Sequence, residues 1–186
     1  KKETGLLITV PAPNFKTLKL KVTGTAPLVV HRFSTKARQQ IMKTQSEGKK
    51  AKSRKDRPPK DFEAVYRECL YTANDGWYGI PAVAFKAAMV SACRTAGVVM
   101  TRAKLAISWV EADGYDKEDR TPLVRVYGTP HKHEGYARND DGSVDIRGRP
   151  MWDEWHAFVR VKFDADMLDE EGITNLLMRA GQQVGV

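Results

Sequence analysis

Residues 155–163 read Trp155-His-Ala-Phe-Val-Arg-Val-Lys-Phe163, with an apolar side chain at every second position. One face of this predicted strand carries Ala157, Val159, Val161 and Phe163, and the other carries Phe158, Arg160 and Lys162. Residues 17–23 (Thr-Leu-Lys-Leu-Lys-Val-Thr) repeat the alternation. Strands with one apolar and one polar face are typical of antiparallel sheets that are buried on one side, so the sequence predicts such a sheet.

Further helices and strands are predicted between these two segments, and one helix is predicted after them. The pattern predicts a short polar helix over 35–45, a helix that Asp61 caps and that runs to Tyr71, and a helix over 82–96 that stops at Gly97. Short strands are predicted over 105–109, where Leu105, Ile107 and Trp109 alternate, and over 123–127. A last helix is predicted to begin after Asp169, to bury Ile173, Leu176, Leu177 and Ala180, and to end at Gly181.

Apart from the short polar helix over 35–45, the order is strand, helix, helix, strand, strand, strand, helix, which predicts an α+β fold with helices on one face of an antiparallel sheet. The ferredoxin-like (RRM-like) arrangement is the simplest fold of this kind. We expect a single domain over residues 1–186. Residues 46–60 cannot contribute to a core and are predicted to be a basic insertion that is mobile when unbound. Residues 128–150 are full of turn signals and predict a long loop or a projecting β-hairpin.

The net charge of +8 resides in residues 36–60. This segment has ten Lys and Arg against Glu47 and Asp56, whereas the rest of the chain holds 21 basic and 21 acidic residues. A basic segment on an otherwise neutral chain is typical of proteins that bind a polyanion, most commonly nucleic acid. The alternative is a solvated loop whose lysines only keep it soluble. The candidate phosphate-binding residues of this segment are Lys36, Arg38, Lys49, Lys50, Lys52, Arg54, Lys55 and Arg57.

The polar faces of the predicted strands mix cations with aromatic rings. Lys19 and Lys21 lie on the polar face of the first strand, and Arg125 lies on that of the third, with Tyr127 if it shares that face. The last strand adds Phe158, Arg160 and Lys162. Single-stranded nucleic acid binds to surfaces of this kind, because rings stack on bases and cations follow the phosphates. An ordinary antiparallel face turned to water also carries Lys and Arg, so both interpretations stay open.

Other chemistries have little support in the sequence. No GxxxxGK[ST], GxSxG or GxGxxG motif occurs, so we predict no nucleotide-binding loop, no hydrolase elbow and no cofactor. The segment 131–134 (His-Lys-His-Glu) has two potential zinc ligands, but no CxxC or HExxH completes a set of four, and we predict no metal. His31, next to Arg32, is either a general base near a phosphodiester or a structural or phosphate-contacting residue.

The sequence also bears on the cellular compartment. No apolar run is long enough to span a bilayer, and the first residues lack the hydrophobic stretch of a signal peptide. Cys69 and Cys93 each lie in a predicted helix and are interpreted as reduced, buried residues instead of a disulfide. These features predict a cytoplasmic protein without a membrane partner.

Three stretches resemble a known family. Residues 79–94 (Gly-Ile-Pro-Ala-Val-Ala-Phe-Lys-Ala-Ala-Met-Val-Ser-Ala-Cys-Arg) are similar to the IPGSSLKGALR segment of the RAMP superfamily, the CRISPR-associated RNA-binding proteins. The end of the first strand at Pro27-Leu28 and the closing segment 173–186, with its glycines, are similar to the same family. The layout resembles most the backbone subunits that polymerise along guide RNA, and phage-encoded proteins of similar pattern. Residues 82–84 (Ala-Val-Ala) depart from the Gly-Ser-Ser of the family.

The resemblance implies a ferredoxin-like palm, a thumb-like hairpin at 128–150, and sequence-independent binding of single-stranded nucleic acid by subunits assembled head to tail. It also implies backbone contacts for Lys86 and Arg94, which match the Lys and Arg of the family helix. Backbone subunits that cut RNA use an acid near the first strand–helix junction, and residues 31–36 contain none. The resemblance therefore predicts binding without cleavage.

We expect a non-enzymatic protein that binds single-stranded RNA or DNA and self-associates along the strand. The expected contacts outside the basic segment are Lys19, Lys21, Arg32, Phe33, Lys86, Arg94, Tyr136, Arg138, Phe158 and Arg160. One alternative is a metal-independent RNA endonuclease with His31 as base and Lys36 stabilising the phosphorane. Another is a structural or anti-defence protein whose basic loop docks an acidic partner. The choice between RNA and DNA depends on sugar contacts that the sequence does not show.

Overall fold

The computed structural model describes residues 10–33, 35–47, 61–138 and 142–185. The described residues form two compact units. The first unit contains residues 10–20, 83–111 and 160–185, and the second contains the described residues of 21–82 and 112–159. Most of the predicted insertion at 46–60 lies outside the described residues.

Nine strands and five α-helices occur in this part of the chain. The strands are β1 (Phe15–Thr23), β2 (Leu28–Val29), β3 (Gly79–Pro81), β4 (Ile107–Glu111), β5 (Gly114–Tyr115), β6 (Pro122–Tyr127), β7 (His131–Arg138), β8 (Val144–Trp152) and β9 (His156–Asp164). The helices are α1 (Thr35–Glu47), α2 (Phe62–Glu68), α3 (Ala82–Ala92), α4 (Met100–Ala106) and α5 (Glu170–Arg179). The predicted α+β class is confirmed, and the ferredoxin-like arrangement stays a prediction.

The described strand pairs are antiparallel, as the alternating sequence predicts. Hydrogen-bonded strands follow the order β1-β9-β6-β3, with β4 also pairing with β9 and β5 with β6. A second sheet has the order β2-β8-β7, and its β7–β8 hairpin runs from the pair His131–Met151 to the pair Arg138–Val144. The hairpin occupies most of the loop predicted over 128–150.

The first unit is built around alternating apolar positions of β9 and one face of its helices. The side chains with no exposed surface are Phe85, Met89, Ala92, Cys93, Ile107, Val161, Phe163, Ile173 and Ala180. A 3₁₀ turn (Cys93–Ala96) extends α3 to Gly97, which has a φ of 70° and ends it as predicted. The prediction that the last helix stops at Gly181 is wrong, because a π-helical turn (Ala180–Val184) continues α5.

The second unit has its own buried set. Its fully or almost fully buried apolar side chains include Leu28, Leu70, Ile80, Leu123, Val124, Val126, Trp152, Ala157 and Val159. Asp61 caps α2 as predicted, since its carboxylate accepts hydrogen bonds from the N–H groups of Glu63 and Ala64. Cys69 in this unit and Cys93 in the first are free and buried, as predicted. Within the described ranges, no helix is both long and apolar enough to cross a bilayer.

The predicted strand over 105–109 is wrong in its first half and in its facing. Leu105 belongs to α4 and is 71% exposed, and β4 begins only at Ile107. Ile107 lies opposite Phe163 whereas Trp109 lies opposite Lys162, so two steps along β4 match one step along β9. This β-bulge turns the strand, and Trp109 leaves the buried face that Ile107 occupies.

Candidate nucleic-acid interface

A row of ring and cation side chains lies on the outward face of the second unit. The row, called the aromatic array below, consists of Trp77, Arg125, Tyr127, His156 and Phe158. Its members on β6 and β9 occupy alternate positions, and the intervening Val126 and Ala157 are buried. Because Tyr127 pairs with His156 across these two strands, the alternation of both strands brings the array together.

The rings of the array contact one another in the two arrangements that aromatic pairs favour. Tyr127 and His156 are stacked, with ring centroids 4.8 Å apart and an interplanar angle of 7°. Phe158 packs edge-on against both, at 5.8 Å from each centroid. The guanidinium of Arg125 lies 4.8 Å from the centroid of Tyr127 and 5.8 Å from that of Trp77. A cation is thus held between two rings.

Two glycines make room for Trp77. A β-carbon on Gly114 would lie 2.7 Å from Cζ2 of Trp77, and one on Gly79 would lie 3.0 Å from Cζ3. Such contacts are shorter than packed side chains allow, so the indole occupies its place because both positions lack side chains. The backbone N–H of Arg125 donates to Asp113 at 2.8 Å.

A smaller group of the same composition lies in the first unit. The ammonium of Lys162 is 4.5 Å from the ring centroid of Trp109 and 5.7 Å from that of Phe15. The two rings are 50% and 47% exposed. Arg160 on the same face of β9 is engaged by Glu111, with 3.1 Å between Nε and Oε2. A half-exposed pair of rings around one cation offers the stacking and charge that unpaired nucleotides bind.

Four predicted contacts on the strands lie where the alternation put them. Lys19 and Lys21 are exposed on β1, at positions alternating with half-buried apolar residues. Phe158 belongs to the aromatic array, and Arg160 faces the same way on β9 but is ion-paired as described above.

Arg32 does not lie at an exposed surface, so the prediction that it contacts phosphate is wrong. The side chain is 3% exposed, and its guanidinium lies 2.8 Å from Asp116, 2.6 Å from Glu118 and 3.5 Å from Asp119. Burial disfavours the charged form, but the hydrogen bond to Glu118 and the three carboxylates outweigh it and raise the pKa of Arg32. Nη1 and Nη2 donate to carboxylates inside the protein, whereas Nε is buried without a hydrogen-bond partner, so Arg32 serves the fold and not the surface.

The basic segment is described only in part. Arg38 on α1 is half exposed and pairs with Asp119 at 3.2 Å. Lys36 lies in α1, and its side chain is outside the described part of the structure. Phe33, just before α1, is 49% exposed. The remaining predicted contacts of the segment lie outside the described residues: Lys49, Lys50, Lys52, Arg54, Lys55 and Arg57.

The residues that the family resemblance singled out have local partners. Lys86 donates to the carbonyl of Ser108 at 2.6 Å, and Nε of Arg94 lies 3.1 Å from the sulfur of Met100. On the hairpin, Tyr136 is 84% exposed and Arg138 is exposed at the end of β7. Tyr136 is therefore available to a ligand, whereas Nζ of Lys86 and Nε of Arg94 have partners within the first unit.

The two histidines of the sequence 131–134 have different surroundings. His131 lies 3.4 Å from Asp153 and is half exposed, whereas His133 faces a small cavity on the hairpin. In the part of the chain that the structure describes, no three His, Cys, Asp or Glu side chains are grouped to hold a metal ion.

Sequence reasoning missed several members of the two groups. Trp77 sits in a turn, outside any periodic pattern, and its signal is the pair of nearby glycines. Trp109 was expected to alternate with Ile107, and the bulge changes its face. Phe15 lies just before the alternating segment from which β1 was predicted. No protein-family model matches the sequence, and no curated protein matches it.

Proposed function

We propose that the protein binds single-stranded nucleic acid without sequence specificity. The observation that carries the proposal is the aromatic array, in which four ring and cation side chains on one face of β6 and β9 and Trp77 from a turn lie in continuous contact. Every nucleobase has a flat face, so such rings bind bases whatever the sequence, and a nearby arginine binds the intervening phosphates. Duplex DNA keeps its bases stacked and would not reach these rings.

The basic segment supports the same function by a different physical effect. Ten Lys and Arg within residues 36–60 attract a polyanion and release its counterions on binding. This attraction contributes affinity and speed of association, whereas the array contributes contacts that only unpaired bases make.

We further propose the finer assignments that the sequence suggested. The chain is a cytoplasmic, non-enzymatic relative of the RAMP superfamily with a ferredoxin-like palm. It assembles head to tail along RNA or DNA, with the β7–β8 hairpin as its thumb. An assembly of this kind is heterologous and open, so the number of subunits bound should increase with strand length.

The proposal is tested by fluorescence anisotropy with labelled oligo(dT) and oligo(U) of several lengths across a salt series. Phe158→Ala should weaken binding by about 1–3 kcal/mol, or roughly 5- to 150-fold, because one stacked ring is lost. The slope of log affinity against log salt should stay unchanged for this variant, since no charge is removed. Arg125→Gln should reduce the slope by about 0.7, the contribution of one phosphate on a single strand.

Tyr115→Ala is the matched control, because Tyr115 is a half-exposed ring of the same unit that lies outside the array. Its affinity should equal that of the wild type. Equal loss in Tyr115→Ala and Phe158→Ala would mean that the array has no particular role. Absence of binding at low salt would reject the function and favour docking of an acidic protein by the basic segment.

A further inference from the structure

The three-stranded sheet β2-β8-β7 has two different faces. α2 packs against β8, and Lys132 of β7 lies 4.0 Å from Glu63 of this helix. The even-numbered positions of β7 therefore face α2, and the odd-numbered positions form the opposite face. Because His133 pairs with Arg149, those two side chains share that opposite face.

A cavity of about 230 Å³ opens on the odd-numbered face. Its lining consists of Val29, His133, Gly135, Tyr136, Ala137, Arg147 and Arg149. The imidazole of His133 leans over Gly135, where Nε2 would lie 3.6 Å from an added β-carbon. Gly135 pairs with Arg147 and has no side chain, so the space beside Arg147 on this face is left open. The volume is below that of pockets for drug-sized ligands and suits a single small group.

The cavity is lined by two arginines, and one of them has a nitrogen without a hydrogen-bond partner. Arg147 lies 3.5 Å from Asp145, which neutralises part of its charge. Arg149 makes no ion pair with a described residue, and its Nε is buried without a hydrogen-bond partner. A buried donor without an acceptor is unfavourable, so an oxygen atom of a bound anion would remove that cost.

His31 extends the same face. It follows Val29 by two residues, and Val29 pairs with Met151 on the odd-numbered face. Burial and the charges of Arg149 and Arg147 lower the pKa of His31, as expected for an imidazole near both guanidinium groups. A neutral imidazole still has one N–H that can donate to an anion.

We propose that His31, His133, Arg147 and Arg149 bind a phosphate group on this face of the hairpin sheet. The planar donors of arginine match phosphate oxygens, and the imidazoles supply further N–H donors from the neighbouring strands. The group belongs either to the terminal phosphate of a nucleic-acid strand or to an internal phosphodiester, since both present the same oxygens. The pocket contains no member of the aromatic array, and binding of phosphate alone does not depend on the function proposed above.

The ¹H NMR resonances of the four histidine rings provide a direct test. Inorganic phosphate is titrated at constant pH and ionic strength, and the resonances are assigned with single His→Gln variants. We expect saturable shifts for His31 and His133 and none for His156 in the array. Arg149→Gln should weaken this binding by about tenfold or more. The matched control is Arg67→Gln, which removes an exposed arginine of α2 and should leave the titration unchanged.

Oligonucleotides with and without a 5′-phosphate distinguish the two sources of the group. If the pocket binds a strand end, the phosphorylated oligonucleotide binds more tightly to the wild type and loses that advantage in Arg149→Gln. If the pocket binds an internal phosphodiester, Arg149→Gln weakens both oligonucleotides equally. Unchanged binding of phosphate and of both oligonucleotides in Arg149→Gln would overturn the proposal. If Phe158→Ala leaves oligonucleotide affinity unchanged, only the role of the aromatic array is rejected. The phosphate pocket is tested independently, because the phosphate titration contains no base.

Discussion

Replacing Arg32 with methionine should destabilise the protein and leave nucleic-acid contacts intact. The side chains of Arg32 and Asp116 are 3% and 1% exposed, with 2.8 Å between Nη2 and Oδ1. Removing one partner of a buried ion pair leaves the other charge uncompensated, which costs about 3–5 kcal/mol. Asp116 cannot turn to solvent easily, because it also accepts hydrogen bonds from the backbone N–H groups of Thr72, Glu118 and Asp119.

Arg38→Met is the matched control for this prediction. It removes the same charge and an ion pair of 3.2 Å with Asp119, but the Arg38 side chain is 50% exposed. Exposed pairs contribute about 0–1 kcal/mol, so this variant should unfold close to the wild type. Urea unfolding gives both free energies. For a chain of this length, the loss in Arg32→Met corresponds to a decrease in Tm of about 6–20 °C.

Two results would refute the reasoning. One is a loss below about 1 kcal/mol in Arg32→Met, equal to that of Arg38→Met. The other is an unchanged stability together with a salt slope reduced by about 0.7, which is what a phosphate contact predicts for a single strand. Affinity must be measured at a temperature at which the variant is folded.

Two further predictions concern the array and the acid limit of stability. Gly114→Ala should displace Trp77, since the new β-carbon would lie 2.7 Å from the indole. The displacement should change tryptophan fluorescence and weaken oligo(dT) binding. The control is Gly181→Ala, whose new β-carbon meets nothing within 4 Å and which should change neither quantity. Burial opposes ionisation of Asp119, but hydrogen bonds from Thr121 and the nearby arginines lower its pKa, so its contribution is present above its ordinary pKa and is lost as pH falls through the lowered value. Thr121→Val should therefore cost about 1–3 kcal/mol in urea unfolding at pH 7 and progressively less as the pH is lowered below the ordinary pKa of a carboxyl group, whereas a cost independent of pH would contradict this.

Features that depend on neighbours along the chain were predictable from the sequence. Asp61 caps α2 and Asp169 caps α5, because an N-cap needs only its own side chain and the next three residues. Gly97 ends the turn after α3 for an equally local reason, namely its positive φ. The alternation of 155–163 predicted the two faces of β9, since strand facing has a period of two.

Features that depend on distant partners were not predictable. Arg32 was expected at the surface, and its burial could not be predicted because its three carboxylate partners lie more than 80 residues away along the chain. Trp109 changes face through a bulge that exists only in the pairing of β4 with β9. The phosphate pocket joins β2, β7 and β8, so His31 and the arginine positions 147 and 149 become neighbours only when the second sheet forms.

The physical roles of the basic segment and of the array can be separated by comparing single with double strands. Lysines and arginines bind phosphates of either form, and the charge density of a duplex is higher, so the segment alone gives no preference for single strands. Rings that stack on bases need those bases unpaired, and a duplex must pay the cost of unstacking before it contacts them. Substitutions in the array should therefore lower the ratio of single- to double-strand affinity. Replacing the lysines and arginines of residues 49–57 with uncharged residues should instead weaken the binding of both forms and reduce the salt slope. A ratio that changed only with the basic segment would place base recognition outside the aromatic array.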